Sequence, residues 1–170
     1  MKKILYSLFL LFFVLASGCE DFDPGGTATQ NLSGDWWVKV EMNDNGTWRD
    51  LTDEWIGVER IMITTYNTAA NVPTEIFVDD NHNFWEFKGK VKADAANYTF
   101  GSSDPVTNLS YDDSEFTVTD GKVLKGVGLS RTGVATDSIM FWVKFNDDPD
   151  EFDYRFSGHR RTGFTEDEYE

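Results

Sequence analysis

The 170-residue chain holds one cysteine and two histidines. A lone thiol closes no intrachain disulfide, so stability has to come from a packed core. One cysteine and two widely separated histidines also fall short of the four ligands of a structural zinc site. No metal and no cofactor is expected. Cations are scarce too, with 15 Lys and Arg against 30 Asp and Glu and a formal net charge of -15. A surface that acidic repels phosphate backbones, which excludes nucleic acid as a partner. The apolar stretch from Ile4 to Leu15 is shorter than the roughly 20 residues of a bilayer-spanning helix, so it is not read as a permanent span. Helical periodicity is missing as well, apart from a turn or two over residues 52–57.

What is present begins with Cys19. It follows Lys2, Lys3, the apolar stretch and Leu15-Ala16-Ser17-Gly18, a layout that resembles a bacterial lipoprotein signal peptide. Ala16 holds the place where the commonest motif has Leu. The expected organisation is a signal peptide over 1–18, a lipidated tether over 19–30 and one β-barrel domain over 31–170 with an acidic C-terminal tail. Removing Lys2 and Lys3 makes the mature chain still more negative, so membrane association is expected through the acyl anchor alone. Pro24, Gly25 and Gly26 break regular structure in the tether. Glu20, Asp21 and Asp23 resemble the acidic export tags of some surface lipoproteins, with a merely solvated linker as the alternative. The expected place is a Gram-negative cell envelope, lipid-anchored at the outer membrane, the face left open.

From Asn31 onward the apolar residues alternate with period two. Trp36, Val38, Val40 and Met42 share one strand face while Trp37, Lys39 and Glu41 share the other. Ile139, Phe141, Val143 and Phe145 oppose Met140, Trp142 and Lys144 in the same way, and Phe152, Tyr154 and Phe156 oppose Asp153, Arg155 and Ser157. Asn45-Gly46 and Asp120-Gly121 read as tight hairpin turns. Further strands are expected near 58–66, 75–79, 84–92, 97–101, 123–129, 137–146 and 152–160. Eight or nine strands with short connections predict an all-β, antiparallel up-and-down barrel, which removes exposed edges; a two-sheet sandwich is the rival.

Gly34-Asp35-Trp36 at the start of the first strand matches the Gly-x-Trp signature of the lipocalin and calycin barrels. The resemblance implies a Trp36 that plugs one end, with Arg155, Arg160 or Arg161 lying across its ring. Downstream, Tyr66 to Pro73, Ile76 to Asp80, Trp85 to Asp94, Tyr98-Thr99-Phe100 and Ser157 to Phe164 resemble a bacterial lipoprotein family described as lipid-binding putative hydrolases. That resemblance covers most of the mature chain and implies a calycin-like barrel binding an apolar molecule.

A small barrel leaves room for one apolar or amphipathic ligand. The lining is expected among Trp37, Tyr66, Phe84, Trp85, Phe141 and Trp142, with Asn67 and Asn71 as polar groups near a mouth; packing in the core is the competing role for each aromatic. For hydrolysis, His159 is the only candidate base, beside Arg160-Arg161, while His82 reads as a solvated turn residue. Gly128 to Gly133 around Ser130 has the wrong spacing for a nucleophile elbow. Asp79/Asp80, Asp112/Asp113 and Asp147/Asp148 lie in expected turns, where aspartate is favoured by local hydrogen bonds. Asp79 to Asn83 begins like a calcium loop, but Phe84 stands where glycine belongs and Lys90 where the closing Glu belongs. Binding of a small hydrophobic ligand leads; hydrolysis of esters or glycans, and glycan capture in a surface assembly, are the alternatives.

Overall fold

The computed structural model describes residues 25–169. Cys19, the signal segment and the tether as far as Pro24 lie outside that range. The strands are β1 (Gly34–Asp44), β2 (Thr47–Asp50), β3 (Ile61–Asn67), β4 (Glu75–Asp79), β5 (Lys88–Asp94), β6 (Thr99–Thr107), β7 (Glu115–Leu129), β8 (Ala135–Phe145) and β9 (Tyr154–Arg160). They run antiparallel in the order β1-β3-β4-β5-β6-β7-β8-β9, and β9 returns to pair with β1 from Trp36↔Arg160 to Met42↔Tyr154. The result is a closed eight-stranded up-and-down barrel. Strand β2 is additional: Asn45 (φ 51°) and Gly46 (φ 91°) turn the chain so that it folds back on the end of β1.

The period-two alternation decides which residues fill the barrel. Val38, Val40 and Met42 of β1, Ile76 and Val78 of β4, Phe141, Val143 and Phe145 of β8 and Phe156 of β9 are all buried. Their neighbours Lys39, Phe77, Trp142 and Arg155 face outward. The turn near residue 52 is also present, as one π-type turn over Thr52–Ile56.

Two local expectations change. Asp120-Gly121 is no hairpin turn; it sits inside β7, where the register to β8 slips between Thr119 and Lys122. Asp120 has φ 53°, and a Cβ on Gly121 would lie 2.4 Å from the Phe100 carbonyl oxygen. The pair makes a bulge, because the positive backbone angle is absorbed as a kink while both flanks keep pairing with β6 and β8. The strand expected over 84–92 begins only at Lys88. Residues 80–87 are instead a loop folded over one end of the barrel. That far end also carries the β1–β2 hairpin, the β6–β7 loop and the β8–β9 loop. The opposite end, where β1 starts, carries the β3–β4 loop, the β7–β8 hairpin tip and the C-terminal tail.

Candidate functional site

The end where β1 starts is closed by Trp36. Its indole is fully buried, Nε1 donates to Thr65 Oγ1 at 2.9 Å, and Thr65 Oγ1 in turn donates to the Leu32 carbonyl at 2.6 Å. The Arg160 guanidinium lies over the ring, 4.4 Å from its centroid, and is held there by the Ser33 carbonyl and Asp137. Of the three arginines considered, Arg160 takes the role. Gly34 makes it possible: a Cβ there would stand 2.3 Å from Arg160 Nη1.

The far end is plugged from within. Phe84 packs edge-on to Tyr154 and Phe156, and Trp85 stacks on Phe145 at 4.8 Å with nearly parallel planes. Phe87 meets Phe116 and Phe145 edge to face. Trp85 Nε1 donates to Asp147 at 3.0 Å, and the Tyr154 hydroxyl donates to the buried Asp148. Burial, then the Asp148 contact, pushes the Tyr154 phenol upward. The plug loop hangs on Asp80, whose buried carboxylate accepts backbone N–H bonds from His82, Phe84, Trp85 and Phe87. Burial raises its pKa against the opposing pull of those bonds. Asn81, His82 and Glu86 all adopt positive φ. Asp79 is tied to Lys88 and Tyr66, so both carboxylates of the calcium-like motif have partners within the protein.

An open concavity lies in the barrel wall. Strands β5 and β6 pair only at Ala93↔Phe100 and Asp94↔Thr99; they meet again where Leu109 N donates to the Lys88 carbonyl. Between these points β6 swings away. Gly101 has φ 146°, and Pro105 has no N–H to give to a ladder. The cleft so opened measures about 800 Å³ and is lined by Phe77, Val91, Pro105, Val106 and Leu109. Lys90 and Lys92 stand on its rim, paired with Glu75 and Asp104. Its ends are the Thr68-Ala69-Ala70 loop and Leu109.

The expected ligand residues are therefore dispersed. Phe84, Trp85 and Phe141 sit in the aromatic filling of the barrel, which their own rings occupy. Trp142 is on the outer face, 5.5 Å from Trp48 with Arg155 beside both, because its neighbour Phe141 takes the inward position. Tyr66 is also outside, stacked on Phe77 at 5.3 Å. Trp37 faces outward under the C-terminal Tyr169. Asn67 and Asn71 lie at the Trp36 end rather than at the plugged one; Asn71 accepts from Ala28 N at 2.8 Å and pins the end of the tether. Val106, Pro105, Leu109, Lys90 and Lys92 were not expected from the sequence as ligand contacts. The one available signal was Pro105, which a continuously paired strand does not accommodate.

His159 is on the outer face of β9 and almost fully buried. Its Nδ1 donates to the Arg160 carbonyl, and its Nε2 lies 3.2 Å from the Tyr169 hydroxyl, which donates to it. Burial, then Arg60, hold the imidazole below its ordinary range. Ser138, its cross-strand partner, donates instead to the Gly158 carbonyl, and Ser130 Oγ accepts from Val134 N. Among the described residues no three His, Cys, Asp or Glu side chains converge as a metal site.

The class the fold defines is a closed, aromatic-filled eight-stranded antiparallel barrel, with an arginine-capped tryptophan at one end and an apolar cleft in its wall. The chain belongs to the family described as lipid-binding putative hydrolase, which it matches over residues 21–165. No curated protein matches it. The family and the barrel together support lipid binding as the general activity.

Proposed function

We propose that this protein is a lipid-anchored lipoprotein of a Gram-negative cell envelope that holds one single-chain amphiphile, such as a fatty acid, in the cleft between β5 and β6. The observation that carries the reading is the parting of those two strands over an apolar floor. The barrel interior is filled by Phe84, Trp85, Phe87, Phe145 and Phe156, whereas the cleft stands open at a volume within the roughly 300–1,000 Å³ of small-molecule sites. Phe77, Pro105 and Leu109 offer a surface for an acyl chain, and Lys90 and Lys92 offer partners for a polar head. Hydrolysis gains no support of its own, since both His159 nitrogens are engaged. Anchoring rests on Cys19 after its apolar stretch; Cys19→Ala is expected to move the protein from membranes to the soluble fraction.

The test of the cleft is displacement of a fluorescent fatty acid. Saturable binding in the micromolar range, about -8 kcal/mol, is expected. Leu109→Asp is expected to weaken it tenfold or more, about 1.4 kcal/mol, without unfolding because Leu109 is exposed. Trp85→Ala is expected to leave affinity unchanged. The opposite pattern places the ligand behind the plug. Glycan capture is the second reading, favoured by the exposed Trp48 beside Trp142 and Arg155; retention on immobilised polysaccharide that is lost in Trp48→Ala supports it instead.

A further inference from the structure

The β7–β8 hairpin turns at the Trp36 end, and a second slip in register between Leu124 and Gly128 breaks the regular pairing of β7 just before the turn. The side chains it carries there are apolar and exposed: Leu124 by 44%, Val127 and Leu129 by 64% each and Val134 by 42%. Phe164, 53% exposed, lies in the tail that this tip holds through Thr132 N and Oγ1, both donating to the buried Asp167. From Gly121 to Thr136 the sequence contains Lys122, Lys125 and Arg131 and not one acid, in a chain where acids outnumber bases two to one. Of the carboxylates around it, Asp137 is paired with Lys125 and Arg160, Glu168 with Arg161, and Asp167 is held by Thr132, while Glu166 of the same tail is exposed.

The tether reaches the molecule at the same end. Ala28 is bonded to Asn71 in the β3–β4 loop, and Ser33 to Arg160. Cys19 precedes Gly25 by six residues, a reach of at most about 20 Å. The far end also exposes rings, Trp55 and Tyr111 among them, but it is ringed by Asp53, Glu54, Asp112, Asp113, Asp150 and Asp153. Anionic headgroups repel that end, whereas the hairpin itself presents Lys122, Lys125 and Arg131 and no acid of its own.

We infer that the hairpin tip, with Val127 and Leu129 at its front, seats in the headgroup layer of the membrane to which Cys19 is anchored. The inference rests on the anchoring reading above and adds a protein contact to it. A lipoprotein cysteine carries two or more acyl chains, at about 0.8 kcal/mol per buried methylene, and anchors by itself, so contact at the tip orients the barrel on the membrane. Seated this way, the barrel also turns the Thr68-Ala69-Ala70 end of the β5–β6 cleft toward the lipid.

The lipidated full chain provides the test, since acylation consumes its only thiol and leaves an introduced cysteine free for labelling. Val127→Cys, Leu129→Cys and, at the far end, Tyr111→Cys are each labelled with an environment-sensitive fluorophore. They are then reconstituted in vesicles of phosphatidylethanolamine and phosphatidylglycerol carrying spin-labelled quencher lipid. Blue-shifted emission and about twofold or greater quenching are expected at 127 and 129, and neither at 111. Sedimentation of the protein with vesicles while all three positions are quenched alike, or only 111 is quenched, overturns the docking face and leaves anchoring intact. Concentration-dependent protection of 127 without lipid quenching assigns the tip to a second copy of the chain and likewise overturns it. A protein that stays soluble, with Cys19 itself taking the label, overturns the anchoring reading and the docking face with it.

Discussion

Trp36 concentrates three kinds of contact in one side chain. Its ring is buried, its N–H feeds a relay through Thr65 to the Leu32 carbonyl, and its face carries the Arg160 guanidinium. Trp36→Ala is expected to cost about 3–5 kcal/mol, the range for deleting a buried aromatic, measured by urea unfolding. Gly34→Ala is expected to cost about 1–2 kcal/mol by moving Arg160 off the ring, since cation–π stacking in a desolvated site is worth about that much; an unchanged midpoint shows that Arg160 relocates freely. His159 sets a pH dependence. Its folded pKa lies below the ordinary value of about 6.5, so on acidification the unfolded chain takes up the proton first. The stability it contributes is complete above about pH 6.5 and declines as pH falls toward its folded value. Between about pH 7 and pH 5 the wild type is expected to lose more thermal stability than His159→Gln. Parallel melting curves count against a buried neutral imidazole.

At the scale of elements, irregularities set the shape of this barrel more than regular pairing does. The bulge at Asp120-Gly121 kinks β7 while keeping it continuous from β6 to β8. Gly121→Val drives a side chain into backbone, the Phe100 carbonyl, which has no room to yield. A loss of about 1–3 kcal/mol is expected, the cost of overpacking, read as a lower denaturation midpoint with the same slope. A tolerated Gly121→Val means β6 can move away, widening the cleft next to it. The tail is another such device. Burial raises the Asp167 carboxyl's pKa, but hydrogen bonds from Thr162 and Thr132 outweigh that and hold it well below the usual carboxylate range. The pinned tail then lays Tyr169 over Trp37 and His159.

The molecule as a whole is a closed cylinder carrying a large excess of negative charge. Self-repulsion among those acids opposes the compact state, and salt screens it over a Debye length of about 8 Å at physiological ionic strength. Exposed pairs such as Lys92–Asp104 and Lys144–Glu151 contribute little that salt removes. Raising salt from about 10 mM to about 0.15 M is therefore expected to raise the melting temperature by several degrees. A fall in melting temperature means the ion pairs outweigh the repulsion. Charge is also unevenly placed: acids crowd the plugged end, while an acid-free hairpin stands at the end where the tether joins.

Strand number and antiparallel order were legible in the sequence because period-two alternation and tight-turn residues are local signals, and the Gly34/Trp36 closure was legible through its resemblance to the Gly-x-Trp signature. So was the division into faces: Phe141 against Trp142 and Trp36 against Trp37 differ by one position in the alternation. Which of Phe141 and Trp142 points inward was not legible from the alternation, since it depends on how the sheet curls to close β9 on β1; for Trp36 the Gly-x-Trp resemblance supplied the answer. Nor did local pattern separate a turn from a bulge at Asp120-Gly121. The same positive backbone angle makes either, and the choice falls to the strands that pair on both sides. The cleft was the least visible feature. Pro105 marks a break in one strand, but a groove exists only where that break faces β5 and its Val91, contacts that the folded barrel alone brings together.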